Sequence, residues 1–266
     1  MSEILTDILR KISLKSINYY IEKNLDDFYN KASLHSNFKL HQEKKISWVL
    51  AKKADWPEGI YKAAFEDVNI EEEIYTIKNL IQEGKIPNGW TIGPLTTPLD
   101  LGNILQKFGF LNVYHQAGMA YELENLSNHD FDQIGLKIEF AENKEHLRQW
   151  MGVVSTVFGI KIDLGLLEYL RSESEVRFYI GSFEGEPVSS LMLYLSSGVA
   201  GIHAVSTLIK YRGRDFGLYI STKALLDAYE IGYRVGVLQA SSMGERVYRK
   251  LGFKKYCDIN TYALEF

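Results

Sequence analysis

One stretch, Gly201 to Phe253, limits what this chain can fold into more than any other. It opens with an apolar run, Ile202 to Ile209, and turns through Tyr211-Arg212-Gly213-Arg214-Asp215-Phe216-Gly217. A helical pattern runs from Leu218 to Ile231, a second apolar run from Val235 to Ala240, and a short helix follows that ends at Gly252-Phe253. A strand, a Gly/Arg turn and a helix in that order make an anion site, because the turn's N–H groups and the positive end of the helix dipole face one spot. Arg212 and Arg214 add charge that suits phosphate oxygens.

Such a turn is common by itself; the spacing of the whole stretch is more specific. Arg212-Gly213-Arg214-Asp215-Phe216-Gly217 precedes, by a helix and a strand, Val247-Tyr248-Arg249-Lys250-Leu251-Gly252-Phe253. The pair resembles the acetyl-CoA-binding core of the GNAT N-acetyltransferase family, whose signature is Arg/Gln-x-x-Gly-x-Gly/Ala and then x-Tyr-x-x-x-Gly-Phe. Asp215 stands where the family has its first Gly. Asp tolerates the left-handed conformation better than most residues, so the turn survives, while a carboxylate close to a pyrophosphate is expected to lower CoA affinity.

The resemblance implies an α/β fold with a mixed sheet, in which a splayed pair of parallel strands admits the pantetheine arm of acetyl-CoA. Contacts are then expected from Ala204, Val205, Ser206 and Thr207 on the first strand and from Arg212 through Gly217 at the turn, with Val235 to Ala240 as the partner strand. Ser241 stands where the family often has an Asn that touches the cofactor. Tyr248 matches the tyrosine that protonates the leaving thiolate; a phenol near pKa ~10 is protonated at neutral pH. His203 shares a strand face with Val205 and Thr207 by period-2 alternation. Two readings of it stand open, general base for the acceptor amine and hydrogen-bonded core residue. The acceptor, a primary amine on a small molecule or peptide, is expected over the hairpin Val176 to Leu195 and the loop Phe158 to Ile162.

Earlier in the chain, Ile4 to Leu34 reads as one or two helices, Ile46 to Ala51 and Ile60 to Phe65 as strands, Ile70 to Gln82 and Leu99 to Lys107 as helices, and Phe110 to about Leu123 as a strand. Asn125 to Asp132 is polar and reads as a linker. Leu136 to Phe140 is a strand and Asn143 to Phe158 a helix; Asp163 caps another helix. Val176 to Phe183 and Val188 to Leu195 form a hairpin across Glu184-Gly185-Glu186-Pro187. One or two strands close the chain. Gln106-Lys107-Phe108-Gly109-Phe110 echoes Arg249-Lys250-Leu251-Gly252-Phe253. Two readings of the echo stand, a chance match and two GNAT-like folds in tandem: residues 1–133, degenerate, with Leu105 in place of Tyr248 and no Arg/Gly turn, and residues 134–266, catalytic.

Length and composition bound the partners. The chain's 266 residues, 46% hydrophobic and 24% charged, can bury a sizeable core. A net charge of −4 argues against a general nucleic-acid binder. The single cysteine, Cys257, excludes an intrachain disulfide and fits a cytoplasmic setting; beyond the Gly252-Phe253 pair it reads as structural. No His/Cys/Asp/Glu cluster has metal spacing, and no apolar segment reaches the ~18 residues of a membrane span. The leading expectation is an acetyl-CoA-dependent N-acetyltransferase that transfers directly to an amine. Aminoacyl or other acyl transfer on a tandem GNAT fold, and a non-enzymatic acyl-CoA-binding module, are the alternatives.

Overall fold

The computed structural model describes residues 8–65, 69–126 and 135–265. The expected linker, apart from Asn125 and Leu126, the division at 133/134, and residues 4–7 of the expected first helix lie outside them. Helix α1 spans Ile17–Ala32 rather than starting near Ile4. The described residues before it are held as an extended strap, with Leu9 N donating to Gly198 O (3.0 Å) and Ile12 N to Glu122 Oε1 (2.9 Å).

In chain order the elements that follow are β1 (Phe38–Gln42), β2 (Ser47–Ala51), β3 (Gly59–Tyr61), α2 (Ile70–Gln82), β4 (Trp90–Ile92), α3 (Leu101–Lys107) and β5 (Phe110–Glu122). The second half supplies β6 (Leu136–Phe140), α4 (Lys144–Phe158), α5 (Leu164–Ser172), β7 (Val176–Phe183), β8 (Glu186–Ser196), β9 (Val199–Thr207), α6 (Phe216–Glu230), β10 (Val235–Ala240), α7 (Ser242–Leu251) and β11 (Lys254–Leu264). Local chemistry accounts for the starts of α4, α5 and α7. Asn143, Asp163 and Ser241 each accept a backbone N–H at an N-cap, from His146, Leu166 and Gly244. β1 and β4 had no clear signal in the sequence, being short and set among turn residues.

The eleven strands of the described residues form one mixed sheet, in the order β1-β2-β3-β4-β11-β5-β10-β9-β8-β7-β6. Alternating side chains feed two layers of helices. On β8, Met192 and Tyr194 pack with Trp150 and Leu147 of α4, while Leu191, Leu193 and Leu195 pack with Ile220, Leu225 and Leu251 of α6 and α7. On β11, Ile259 meets Ile17 and Ile21 of α1, and Tyr262 and Leu264 join the cluster of α2 and α3. Helices α1, α4 and α5 therefore cover one face, and α2, α3, α6 and α7 the other.

The pairing senses read alike outward from the centre. β3 runs parallel to β4 across α2, as β9 runs parallel to β10 across α6. β4 pairs antiparallel with β11, as β10 does with β5. Gly109 and Gly252, both at positive φ, link α3 to β5 and α7 to β11. The two long strands change places, so that β11 lies between β4 and β5, and β5 between β11 and β10.

The central β5–β11 pair is packed to contact. A Cβ on Gly118 would lie 2.3 Å from Cys257 Sγ and 3.1 Å from Ile21 Cγ2. Gly118→Ala is expected to cost about 1–3 kcal/mol by overpacking, read by urea denaturation, and adding Cys257→Ala should recover most of it. An unchanged midpoint for Gly118→Ala would contradict this packing.

Candidate active site

The parallel ladder between β9 and β10 contains only the pairs Ala200–Gly236, Gly201–Val237 and Ile202–Leu238. Beyond Ile202 the strands part. A register shift against β8, between Ser190 and Met192, inserts an extra residue into β9 there, and Ala204 sits at φ +50°. This β-bulge bends β9 away from β10 and leaves the β10-side edge of residues 203–207 without a strand partner. A buried backbone edge of this kind needs hydrogen-bond partners.

A cavity of about 800 Å³ opens from the gap. At one end lies the Gly/Arg turn. Arg212 lines it, with Nε donating to Thr207 O (3.3 Å). Gly213 is at φ +82° and Asp215 at φ +57° immediately before α6, so Asp215 takes the left-handed conformation expected of a Gly substitute. Its carboxylate accepts from Lys250 Nζ at 3.1 Å, which offsets the charge expected to weaken an anion site. Phe216 and Gly217 line the cavity, but the Arg214 side chain does not. Its guanidinium stacks on Phe183 at 4.9 Å, which corrects the expectation that both arginines face one ligand.

Ala204, Val205, Ser206 and Thr207 all line the cavity. The hydroxyls of Ser206 and Thr207 are taken by β8, through Ser190 Oγ (2.5 Å) and Ser189 Oγ (3.2 Å). What this strand offers a ligand is therefore its backbone edge. Ser241 also lines the cavity, and its hydroxyl caps α7.

Tyr248 reaches the cavity from α7, buried against Phe253. Burial pushes its phenol well above the ordinary range, partly offset by a hydrogen bond with Ser221, so it is protonated throughout the neutral range. His203 is buried, stacked on Phe28 at 5.6 Å, with Nε2 2.8 Å from Asn24 Oδ1. Asn24 Nδ2 donates to Tyr194 O (3.2 Å) and Ser196 Oγ (2.8 Å), so Oδ1 is an acceptor and Nε2 carries the imidazole proton. Burial lowers His203 to about 4. Of the two open readings, this geometry favours the hydrogen-bonded core residue. Cys257 is held as the thiol, burial pushing it up to about 12, and does not line the cavity.

The other end is lined by residues of the first half, the part that the tandem resemblance implies would help to shape the acceptor cleft, though without naming the residues. Phe28 and Tyr29 of α1, the turn Trp56-Pro57-Glu58, Thr91 of β4, and Tyr114 and Gln116 of β5 line it. None of residues 176–195 does, which corrects the expected acceptor position; of the expected loop, Phe158 and Ile160 take part. That loop and the turn are zipped together, with Asp55 N donating to Lys161 O (2.9 Å) and Lys161 N to Asp55 Oδ2 (2.7 Å). The sequence signal was slight, an acid following Trp-Pro in a turn. Among the described residues, no His/Cys/Asp/Glu group could hold a metal ion, and no helix is long and apolar enough to cross a membrane.

No protein-family model matches the chain, and no curated protein does. Solved structures do. A GCN5-related N-acetyltransferase from Kribbella flavida superposes with a TM-score of 0.70 at 16% identity, over 91% of this chain and 95% of the other. One from Sphaerobacter thermophilus gives 0.60 at 14% identity, over 95% and 93%. A GNAT-family acetyltransferase from Colwellia psychrerythraea gives 0.52 at 10%, over 97% and 99%. The likeness runs through both halves.

His203 is expected to titrate with a midpoint near 4 in the folded protein. Its imidazole NMR signals should hold their neutral positions on acidification through pH 6.5, the ordinary value, and move only as pH falls toward 4. A midpoint near 6.5 would mean that the ring is solvated and free.

Proposed function

The chain has the GNAT acyl-CoA N-acyltransferase fold, and we propose that it is an acetyl-CoA-dependent N-acetyltransferase acting on a primary amine by direct transfer. One observation carries the reading: a bulged, unpaired strand edge, a Gly/Arg turn at a helix N-terminus and a buried, protonated tyrosine all face one cavity. These features fit the parts of acetyl-CoA in order. The edge at Ala204 to Thr207 suits the amides of the pantetheine arm. The turn from Arg212 to Gly217 and the α6 dipole suit the pyrophosphate. When bound, acetyl-CoA supplies the activated acyl group.

In this reading Tyr248 donates its proton to the departing sulfur. The Lys250–Asp215 ion pair favours an active turn over a degraded one. The two halves are copies of one fold joined in tandem, a reading supported by the matched pairing senses on either side of β5 and β11. The first copy builds the acceptor wall rather than a second cofactor site. Three glutamates, Glu71, Glu72 and Glu73, occupy the first turn of α2 where an anion would lie.

Calorimetry with acetyl-CoA tests the cofactor site. Arg212→Ala should weaken binding by about tenfold, ~1.4 kcal/mol, and wild-type protein that does not bind acetyl-CoA would end this reading. Tyr248→Phe should lower kcat by about 10²-fold or more while leaving acetyl-CoA affinity nearly unchanged; an undiminished kcat would remove the acid role.

A further inference from the structure

The acceptor end of the cavity has a distinct electrostatic character. Among the described residues that line the whole cavity, the carboxylates are those of Glu58 and Asp215, and the guanidinium is that of Arg212. Asp215 and Arg212 belong to the Gly/Arg turn, so Glu58 is the charged side chain at the end built by the first half. Its Oε2 accepts from Ala51 N at 2.8 Å, which anchors the carboxylate. Burial is also the main cause that pushes its proton affinity up. Nearby acids are engaged elsewhere: Glu22 accepts from Leu95 N (2.7 Å), Asp55 from Lys161 N (2.7 Å), and neither lines the cavity. At the same end, apolar and aromatic side chains stand beside the uncharged polar Thr91 and Gln116. Phe28 and Trp56 stack at 5.0 Å, and Val154, Phe158 and Ile160 face the same space.

We infer that Glu58 receives the acceptor's ammonium group, and that the acceptor is a monoamine carried on an apolar or aromatic body. The inference rests on the acyltransfer reading for its chemistry and on the cavity alone for its binding. One carboxylate beside aromatic walls pairs with one ammonium. A polycationic acceptor would bring charges that this wall does not match. An amino acid would bring a carboxylate, and the lining cation, Arg212, stands at the cofactor turn.

His203 lines the same cavity, but burial lowers its basicity and Asn24 holds its Nε2, so Glu58 is the proton acceptor in this reading. The ammonium gives one proton to Glu58, and the freed nitrogen lone pair attacks the thioester carbonyl carbon. The C–N bond forms and the C–S bond breaks, its electron pair leaving with sulfur. Sulfur takes the Tyr248 proton, the second proton of the nitrogen restores the phenol, and the proton on Glu58 passes to solvent. Amine cation and acetyl-CoA yield amide, CoA thiol and one proton.

Direct binding tests the inference without turnover. 2-Phenylethylamine, 2-phenylethanol and phenylalanine are titrated by calorimetry into wild type, Glu58→Gln and Glu58→Asp. The amine should bind wild type at least about tenfold more tightly than the alcohol or the amino acid. Glu58→Gln, which keeps the acceptor oxygen for Ala51 N, should remove that advantage and leave the alcohol unaffected; Glu58→Asp should keep part of it. Equal binding of amine and alcohol by wild type, amine binding indifferent to Glu58→Gln, phenylalanine bound as well as the amine, or no amine binding would each overturn the inference. Wild-type comparisons decide it even where a variant fails to fold. Acetyl-CoA titrated into the same samples reads the acyltransfer proposal separately: its loss in wild type sinks that proposal, and its retention in Glu58→Gln beside lost amine affinity supports this one.

Discussion

The site depends on a hydrogen-bond ladder that stops. β9 and β10 pair through Ile202–Leu238 and no further. A backbone edge without a partner is unfavourable once water is excluded, so a protein keeps one only where something else takes the hydrogen bonds. The bulge at Ala204, held left-handed without the freedom of glycine, sets the angle of divergence. Everything else in the cavity is arranged around that opening: the turn before α6 at its mouth, Tyr248 beside it, and Glu58 and the aromatic wall across from it.

The corresponding pair in the first half shows the alternative. β3 and β4 are also parallel, and pair at Ile60–Trp90. There the diverging chains are stitched shut: Phe65 N donates to Thr97 O (2.9 Å) and Thr97 N to Ala63 O (3.0 Å). Phe65 and Trp90, with ring centroids 6.1 Å apart, fill the space between. The same local geometry is thus closed by protein in one half and left open in the other. The closed version gives rigidity to the acceptor wall, since Thr91, in the middle of β4, lines the cavity.

Where periodicity and capping are local, the chain was legible. Helix α2 spans the Ile70–Gln82 of its apolar face, and β10 the Val235–Ala240 of its apolar run. The backbone of the turn before α6 was readable, with Gly213 and Asp215 at positive φ, but the Arg214 side chain, drawn to Phe183, was not. The acceptor wall was not, for a physical reason: Phe28, Glu58, Tyr114 and Gln116 are far apart in the chain and gain their role only through the sheet that gathers them. The environment of His203 was not legible for the same cause. Its strand position was legible, but Asn24, which holds its ring, comes from a helix far earlier in the sequence. Gly201 permits that approach, since a Cβ there would lie 1.8 Å from Asn24 Oδ1.

The exchange of β5 and β11 has a temporal side. β5 leaves the ribosome with neither of its eventual neighbours yet made, and β4 likewise waits for the strand that will lie against it. Both edges stay uncapped through synthesis of the whole second half, and contacts so remote in sequence form slowly. Exposed edges invite pairing with other chains. The first half's strand edges are thus covered only by strands that the second half supplies, and β11 joins β4 to β5 across the centre of the sheet.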